Sequence, residues 1–524
     1  MAFACALLFA LLLLMLLAFS VAVLLERPLL IAVSIAGSAA EGARKNEYVA
    51  RAIDGHPRLA AWLAERLSWE RPTGFALTLS VTVCTLLLAA FVSITQQVLL
   101  KELLDVVDHR VVALLPGLRT DGETQFFRRV TFLANWQSVT LVTLLLSAYL
   151  ALKRQYRRAT VSSAIVVLAA ISLAALKLGI GRTRPEQVLS LIPEDSFSFP
   201  SGHALLATVV YGLVAYLLVK AWTAPLAQFA TIIGYLVLVL LVALSRIYLG
   251  VHYPSDVLAS LVFGGFLLSL GLTVFEMDER YGLFPDRRDP YGGELLLIPL
   301  IAALLAALAA PRFVSLRSIP ATPRSSRVAP FDADVVQQLP VFSESITGAT
   351  IEPIGLVYAA TASQLEALFT RRGWTRADLF NLPNVLRAMS TGLRNDTYRT
   401  GPVTPSYIQG KPEDLAFEAG TASGGFRQRH HTRLWQTNVV TPDGRPIWVA
   451  TASLDVGIEF TPVLYLPTHR IDPNIDAERD YIVMSLSSPN ARYVQRLTPQ
   501  LGKNAASDPF FTDGRVVLLD LSAA

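Results

Sequence analysis

Eight stretches of 16 to 27 residues carry no charged side chain: Ala2–Leu25, Gly74–Leu100, Asn135–Leu152, Thr160–Leu176, Ala204–Val219, Ala227–Leu244, Val257–Phe275 and Leu295–Ala310. Such runs leave little choice of architecture. Lipid offers no partner to open backbone N–H and C=O groups, so a segment that crosses it is a helix. A crossing takes about 20 apolar residues, and the sequence predicts eight spans. The last run, of 16 residues, reaches only about 24 Å at 1.5 Å per residue. Composition agrees: hydrophobic residues make up 53% and charged residues 16%, against about 25% charged in soluble domains, and the mean hydropathy is +0.46. The first run is expected to persist as a span, because no basic stretch precedes it and it is too long for a signal-peptide core. The two cysteines, Cys5 and Cys84, both lie in apolar runs. Neither a disulfide framework nor a zinc cluster is therefore expected.

Orientation follows from the loop 153–159, which holds Lys153, Arg154, Arg157 and Arg158. Basic loops stay cytoplasmic, and alternation then places 177–203 and 245–256 on the opposite, periplasmic face. The net charge of +4 does not argue for nucleic acid, since the basic residues gather in loops beside spans. Ahead of the second run, His56–Leu67 sets Leu59, Trp62, Leu63 and Leu67 at helical spacing. That is the pattern of an amphipathic helix lying in the membrane interface, with a solvated helix as the alternative.

Three polar blocks interrupt the apolar sequence between Lys177 and Asp256: Lys177 with Arg184 and Pro185; Pro200, Ser201, Gly202 and His203; and Ser245 and Arg246 with His252 and Asp256. Charges at helix ends in a membrane are costly unless paired or functional. Two arginines and a lysine on one face suit an oxyanion with several charges, because guanidinium forks match phosphate oxygens and lysine adds a point charge. Ser201, Gly202 and His203 stand just before an apolar helix, where open amides attract anions. A carboxylate on one nitrogen of His252 fixes the tautomer and leaves the other nitrogen free to attack phosphorus. Asp256, four residues on, supplies it across the first turn of a helix beginning near Pro254. His203 is then placed to protonate the leaving oxygen.

These blocks resemble the three signature motifs of the type 2 phosphatidic acid phosphatase superfamily of membrane lipid phosphatases, position by position and in order. The resemblance implies a six-helix core over Gly74–Phe275 with one extra span at each end. It also implies that His252 is the nucleophile forming a phosphohistidine, that Asp256 orients it, and that His203 is general acid and then base. Lys177, Arg184, Ser201, Gly202 and Arg246 would bind phosphoryl oxygens. No cofactor or metal is implied, and the pocket has no carboxylate cluster to hold magnesium.

After Ala310 the composition changes. Residues 315–330 are rich in Ser, Pro and Arg and read as a linker. Residues 331–524 read as a soluble α/β domain, with a helix signal at Ser363–Arg372 and a hairpin in which Asp443 and Gly444 join Thr432–Val440 to Ile447–Phe460. This part resembles the LssY C-terminal-like domain through Arg429, His430, Arg433, Leu434, Trp435, Trp448, Asp455, His469, Ile471, Asp472, Asp476, Glu478, Arg479 and Asp480. His430, His431 and His469 with Asp472 and Asp476 offer groups for a metal or a phosphate, but their spacing is not that of a standard site and structural roles are the expectation.

The expected fold class is thus an all-α polytopic membrane domain followed by a soluble α/β domain. The divisions are 1–73, 74–276, 277–314, 315–330 and 331–524. The expected activity is hydrolysis of a phosphomonoester or pyrophosphate lipid, such as undecaprenyl pyrophosphate, phosphatidylglycerophosphate or phosphatidic acid, at the periplasmic face of a bacterial inner membrane. The expected partners are that phosphorylated lipid and the surrounding membrane lipids, with no nucleic acid. Lipid phosphotransfer through the same phosphohistidine, and non-catalytic lipid binding or transport, are the alternatives.

Overall fold

The computed structural model describes residues 51–521 apart from 52–53, 67, 69–70, 187–188, 282–292, 310–313, 315, 317–325, 395–397, 422–427, 461–466, 488–489 and 504–508. The first apolar run and most of the linker, 315 and 317–325, lie outside the described residues. The chain falls into two compact units, one holding the apolar helices and the other joining Asp105–Arg119 to the strand-rich C-terminal part.

In the helical unit α1 (Pro57–Arg66) precedes α2 (Phe75–Leu99); α3 (Leu103–Leu114), which follows in the chain, belongs almost wholly to the other unit. Next come α4 (Asp121–Phe132), α5 (Trp136–Leu152), α6 (Tyr156–Ile180), α7 (Gly202–Ala221), α8 (Pro225–Tyr248) and α9 (Pro254–Tyr281). Among the described residues five helices, α2 and α6 to α9, are long and apolar enough to cross a membrane, and α4 with α5, bent by 43°, makes up to six. Those six cover the expected core. The eighth apolar run is different. Its helix α10 spans Leu297–Leu308, 12 residues, because the run begins in the 3-10 turn Gly293–Leu296. Alone it reaches about 18 Å, against a hydrocarbon core of about 30 Å, and residues 282–292 and 310–313 on either side lie outside the described residues.

Burial within the protein separates helices of nearly equal hydropathy. The most apolar window of α7 is 83% buried and that of α9 72%, whereas those of α2 and α6 are 11% buried. A helix that is apolar all round either fills a core or faces lipid, and here α7 and α9 form the centre. Between membrane helices, association rests on close van der Waals packing rather than on the hydrophobic effect, and small residues permit it. A Cβ on Gly264 of α9 would stand 2.9 Å from the Cβ of Thr208 and 3.1 Å from the carbonyl oxygen of Leu205 on α7.

The C-terminal unit is built on a nine-stranded mixed sheet. Its longest strands, Arg429–Val440 and Pro446–Phe460, form the expected antiparallel hairpin. Gly444 turns the chain at φ 86°, a conformation that costs glycine little. One face packs Trp374, Phe369, Phe417 and Trp448 beneath helices Ala362–Arg371 and Ile475–Leu486. The helix read at Ser363–Arg372 is Ala362–Arg371, capped reciprocally by Thr361 and Gln364.

Candidate active site

Two loops meet at one end of the helical unit. They are 181–201, between α6 and α7, and 249–253, between α8 and α9. Backbone bonds tie them together, from Leu191 N to Leu249 O (2.9 Å) and from Ser201 N to Asp256 O (3.3 Å). Gly181 ends α6 in the left-handed conformation at φ 64°, and the chain then presents Arg182 and Arg184.

His252 stands two residues before Pro254, which opens α9. Asp256 lies in the first turn of that helix and accepts the backbone N–H of Tyr253 (2.9 Å). The pair meet across the turn, with His252 Nδ1 3.4 Å from Asp256 Oδ2 and both side chains at most 1% exposed. A buried carboxylate is tolerable only when its lone pairs are met. Asp256 also accepts from Ser198 Oγ and from Arg182 Nη1 at 2.7 Å. Arg182 in turn donates to Ser255 Oγ (2.8 Å) and lies 4.3 Å over the Tyr253 ring. Burial pushes the His252 imidazole down to about 3, and the Asp256 hydrogen bond only partly offsets it. The neutral ring donates Nδ1–H towards Asp256, which leaves an Nε2 lone pair. Nε2 lies 3.3 Å from Arg184 Nη1.

Lys177 and Arg246 join Arg184 through shared partners. Arg184 donates to Ser196 O (2.5 Å), Val251 O (2.7 Å) and Ser196 Oγ (3.0 Å). Burial lowers its pKa, while Glu194 and Asp256 act in the opposite direction. Lys177 Nζ donates to Phe197 O and, at 3.4 Å, to Ser196 Oγ. Arg246, 1% exposed, donates to Thr131 Oγ1 (2.7 Å) and to Glu194 Oε1 (2.6 Å). The other oxygen of Glu194 is 3.5 Å from Arg184 Nη2, so one carboxylate lies between both arginines. Burial pushes the Glu194 carboxyl up, but the charges of Arg246 and Arg184 outweigh it and hold it below the usual range. A cleft of about 430 Å³ opens beside them, lined by Arg184, Glu186, Ile192, Glu194, Ser196 and Val251 among others.

Ser201 precedes α7 with its side chain fully buried, and its Oγ has no hydrogen-bond partner among the described residues. A buried hydroxyl left unmet costs about 1–3 kcal/mol, a cost that a phosphoryl oxygen would remove. Gly202 opens the helix where a Cβ would stand 3.0 Å from Leu173 Cδ2. His203 Nε2 donates to Asn135 Oδ1 (2.6 Å) and is within electrostatic reach of Arg246, His252, Arg184 and Lys177. All eight residues singled out in the sequence therefore lie in one cluster. Sequence reasoning missed Asn135, Arg182, Glu194, Ser196 and Ser198. Of these only Arg182, a second arginine in the first block, carried a signal. Arg182→Ala leaves Asp256 buried without its guanidinium, and kcat is expected to fall about 10²-fold, with KM little changed and Arg182→Lys partly restoring it. Steady-state kinetics check this.

His430 and His431 take different partners. His430 pairs with Glu478 (2.9 Å) and stacks on Tyr481, while His431 lies 3.1 Å from Asp455. Asp472 accepts from the N–H of Asn474 and Asp476 pairs with Arg479. The side chain of His469 lies outside the described residues. Among the described residues no group of three or more His, Cys, Asp or Glu is arranged to hold a metal.

Comparison with known proteins agrees with this division. Residues 158–280 match the PAP2 superfamily and 336–516 the LssY C-terminus. The chain is 46% identical over 102 residues to phosphatidylglycerophosphatase B of Bacillus subtilis, covering 19% of this chain and 46% of that one. It is 37% identical over 90 residues to an undecaprenyl-diphosphatase of Sulfolobus acidocaldarius, covering 17% and 39%. To a lipid A 1-phosphatase of Rhizobium etli it is 30% identical over 119 residues, covering 21% and 47%. The chain thus spans less than half the length of each of these relatives. A crystal structure of a transmembrane PAP2-type phosphatidylglycerolphosphate phosphatase from Bacillus subtilis aligns at 26% identity with a TM-score of 0.35, covering 38% of this chain and 98% of that one. The region matched to PAP2 contains all three polar blocks, and this multi-pass membrane chain carries a PAP2 superfamily domain followed by an LssY C-terminal domain.

Proposed function

We propose that the protein is a membrane lipid phosphatase, hydrolysing a phosphomonoester or pyrophosphate lipid through a phosphohistidine on His252 at the periplasmic face. One observation carries the reading: a neutral, buried His252, held by Asp256 on one nitrogen, directs the other at a cluster of cations where membrane helices end. Nε2 attacks phosphorus, the bond from phosphorus to the lipid oxygen breaks, and His203 protonates the departing oxygen. Water, giving its proton to the now neutral His203, then attacks phosphorus and breaks the P–N bond, freeing phosphate. Lys177, Arg184, Arg246, Ser201 and the Gly202 amide hold the phosphoryl oxygens throughout, and their gain is largest as charge builds in the transition state. Asp256 and Glu194 are both engaged by arginine, and the chemistry is assigned to side chains.

The test is phosphate release by the purified protein from phosphatidylglycerophosphate, undecaprenyl pyrophosphate and phosphatidic acid, with excess chelator. Release from at least one, insensitive to chelator, supports the reading. A folded protein that releases phosphate from none of them, with or without a lipid alcohol as acceptor, overturns it.

Glu194 has a separate expectation. Its carboxylate occupies the space between Arg184 and Arg246 that a phosphoryl group would take. Glu194→Gln is therefore expected to lower KM by about tenfold, or about 1.4 kcal/mol. A rise in KM would instead mean that Glu194 serves to order the arginines.

A further inference from the structure

α1 buries none of its residues. Leu59, Trp62 and Leu63 are 55%, 52% and 43% exposed, and their i, i+3, i+4 spacing puts them on one face. Arg66 shares that face, its guanidinium 5.8 Å over the Trp62 ring, while Ala61 lies on the opposite side. The helix cannot drift from the start of α2. Thr78 Oγ1 donates to Arg66 O (3.2 Å), Arg66 Nη1 to Thr73 O (3.3 Å) and Phe75 N to Ser68 O (2.8 Å). At the far end of α9, Tyr281 donates its hydroxyl to Arg71 O (2.7 Å). Two crossing helices thus fix the level of this turn, α2 as it enters the bilayer and α9 as it leaves. By alternation that is the end opposite His252.

We propose that α1 lies in the plane of the lipid–water interface, with Leu59, Trp62 and Leu63 among the upper acyl chains and Arg66 at the phosphates. An indole at the boundary between acyl chains and headgroups, with a guanidinium beside it, is the pairing that this layer favours. Water leaves about 25 cal/mol unrecovered for each Å² of apolar surface on that face. The short tether to α2 brings the face to lipid without further ordering of the chain. The occupant is the phospholipid bilayer that α2 crosses.

The test uses the full chain with Cys5→Ala and Cys84→Ala, carrying a nitroxide at Leu63→Cys or Ala61→Cys. Both positions are exposed, so neither label disturbs the core. In vesicles of phosphatidylcholine and phosphatidylglycerol, collision with oxygen, which concentrates in lipid, is compared with collision with a water-soluble nickel chelate. The ratio of oxygen to nickel collisions is expected to be several-fold higher at 63 than at 61. Equal, water-like ratios at both sites would make α1 a solvated helix, and protection of 63 from both reagents would mean that protein covers it. Either result overturns the proposal, and neither depends on the phosphatase reading.

Discussion

His252→Ala is expected to abolish turnover. Any remainder would be only what oriented cations give to attack by water. The alanine removes the nucleophile but leaves Asp256 with Arg182, Ser198 and the Tyr253 amide, so the pocket keeps its partners and the fold should hold. Substrate binding is therefore expected to survive the loss of kcat, as removal of a group used mainly in the transition state requires. Quench of the wild type with detergent at alkaline pH, using labelled substrate, should trap an acid-labile, base-stable phosphoprotein that His252→Ala lacks. Full turnover in the alanine variant would remove His252 from the reaction and with it the mechanism above.

His203→Ala is expected to cost 10² to 10⁴-fold, the usual worth of a general acid, and its signature lies in the leaving group. A lipid alcohol departs poorly without a proton, whereas p-nitrophenolate needs none. Formation of the phosphoenzyme from p-nitrophenyl phosphate should thus be nearly spared, while its hydrolysis slows for want of a base. A burst of nitrophenolate followed by a slow steady rate is the expected trace. The wild-type pH profile should be bell-shaped, and the limb that reports the general acid should vanish in the variant. The acid limb should lie well below pH 6, because burial holds the His252 pKa far under its ordinary value and the ring stays unprotonated, an available nucleophile, as pH falls.

Much of this was legible because a membrane simplifies the code. Uncharged runs became α2 and α5 to α9 with ends displaced by a few residues, and the polar blocks fell at helix ends where lipid cannot hide a charge. The hairpin about Gly444 was legible because its turn demands a residue that tolerates positive φ. Helices α3 and α4 were not, since charges every few residues along 101–134 mask short amphipathic repeats. Asn135, Glu194 and Ser198 escaped because each acts through a partner distant in sequence, and no spacing rule relates Asn135 to His203 or Glu194 to Arg246. The last apolar run did not give the helix its start: it begins inside the 3-10 turn Gly293–Leu296, and the α-helix is Leu297–Leu308.

The Glu194 carboxylate is shared by Arg246 and Arg184, so the cluster is held together by a group of the same sign as the substrate. Arrival of a phosphoryl group is then an exchange of one anion for another, and the arginines need not wait apart as bare, mutually repelling charges.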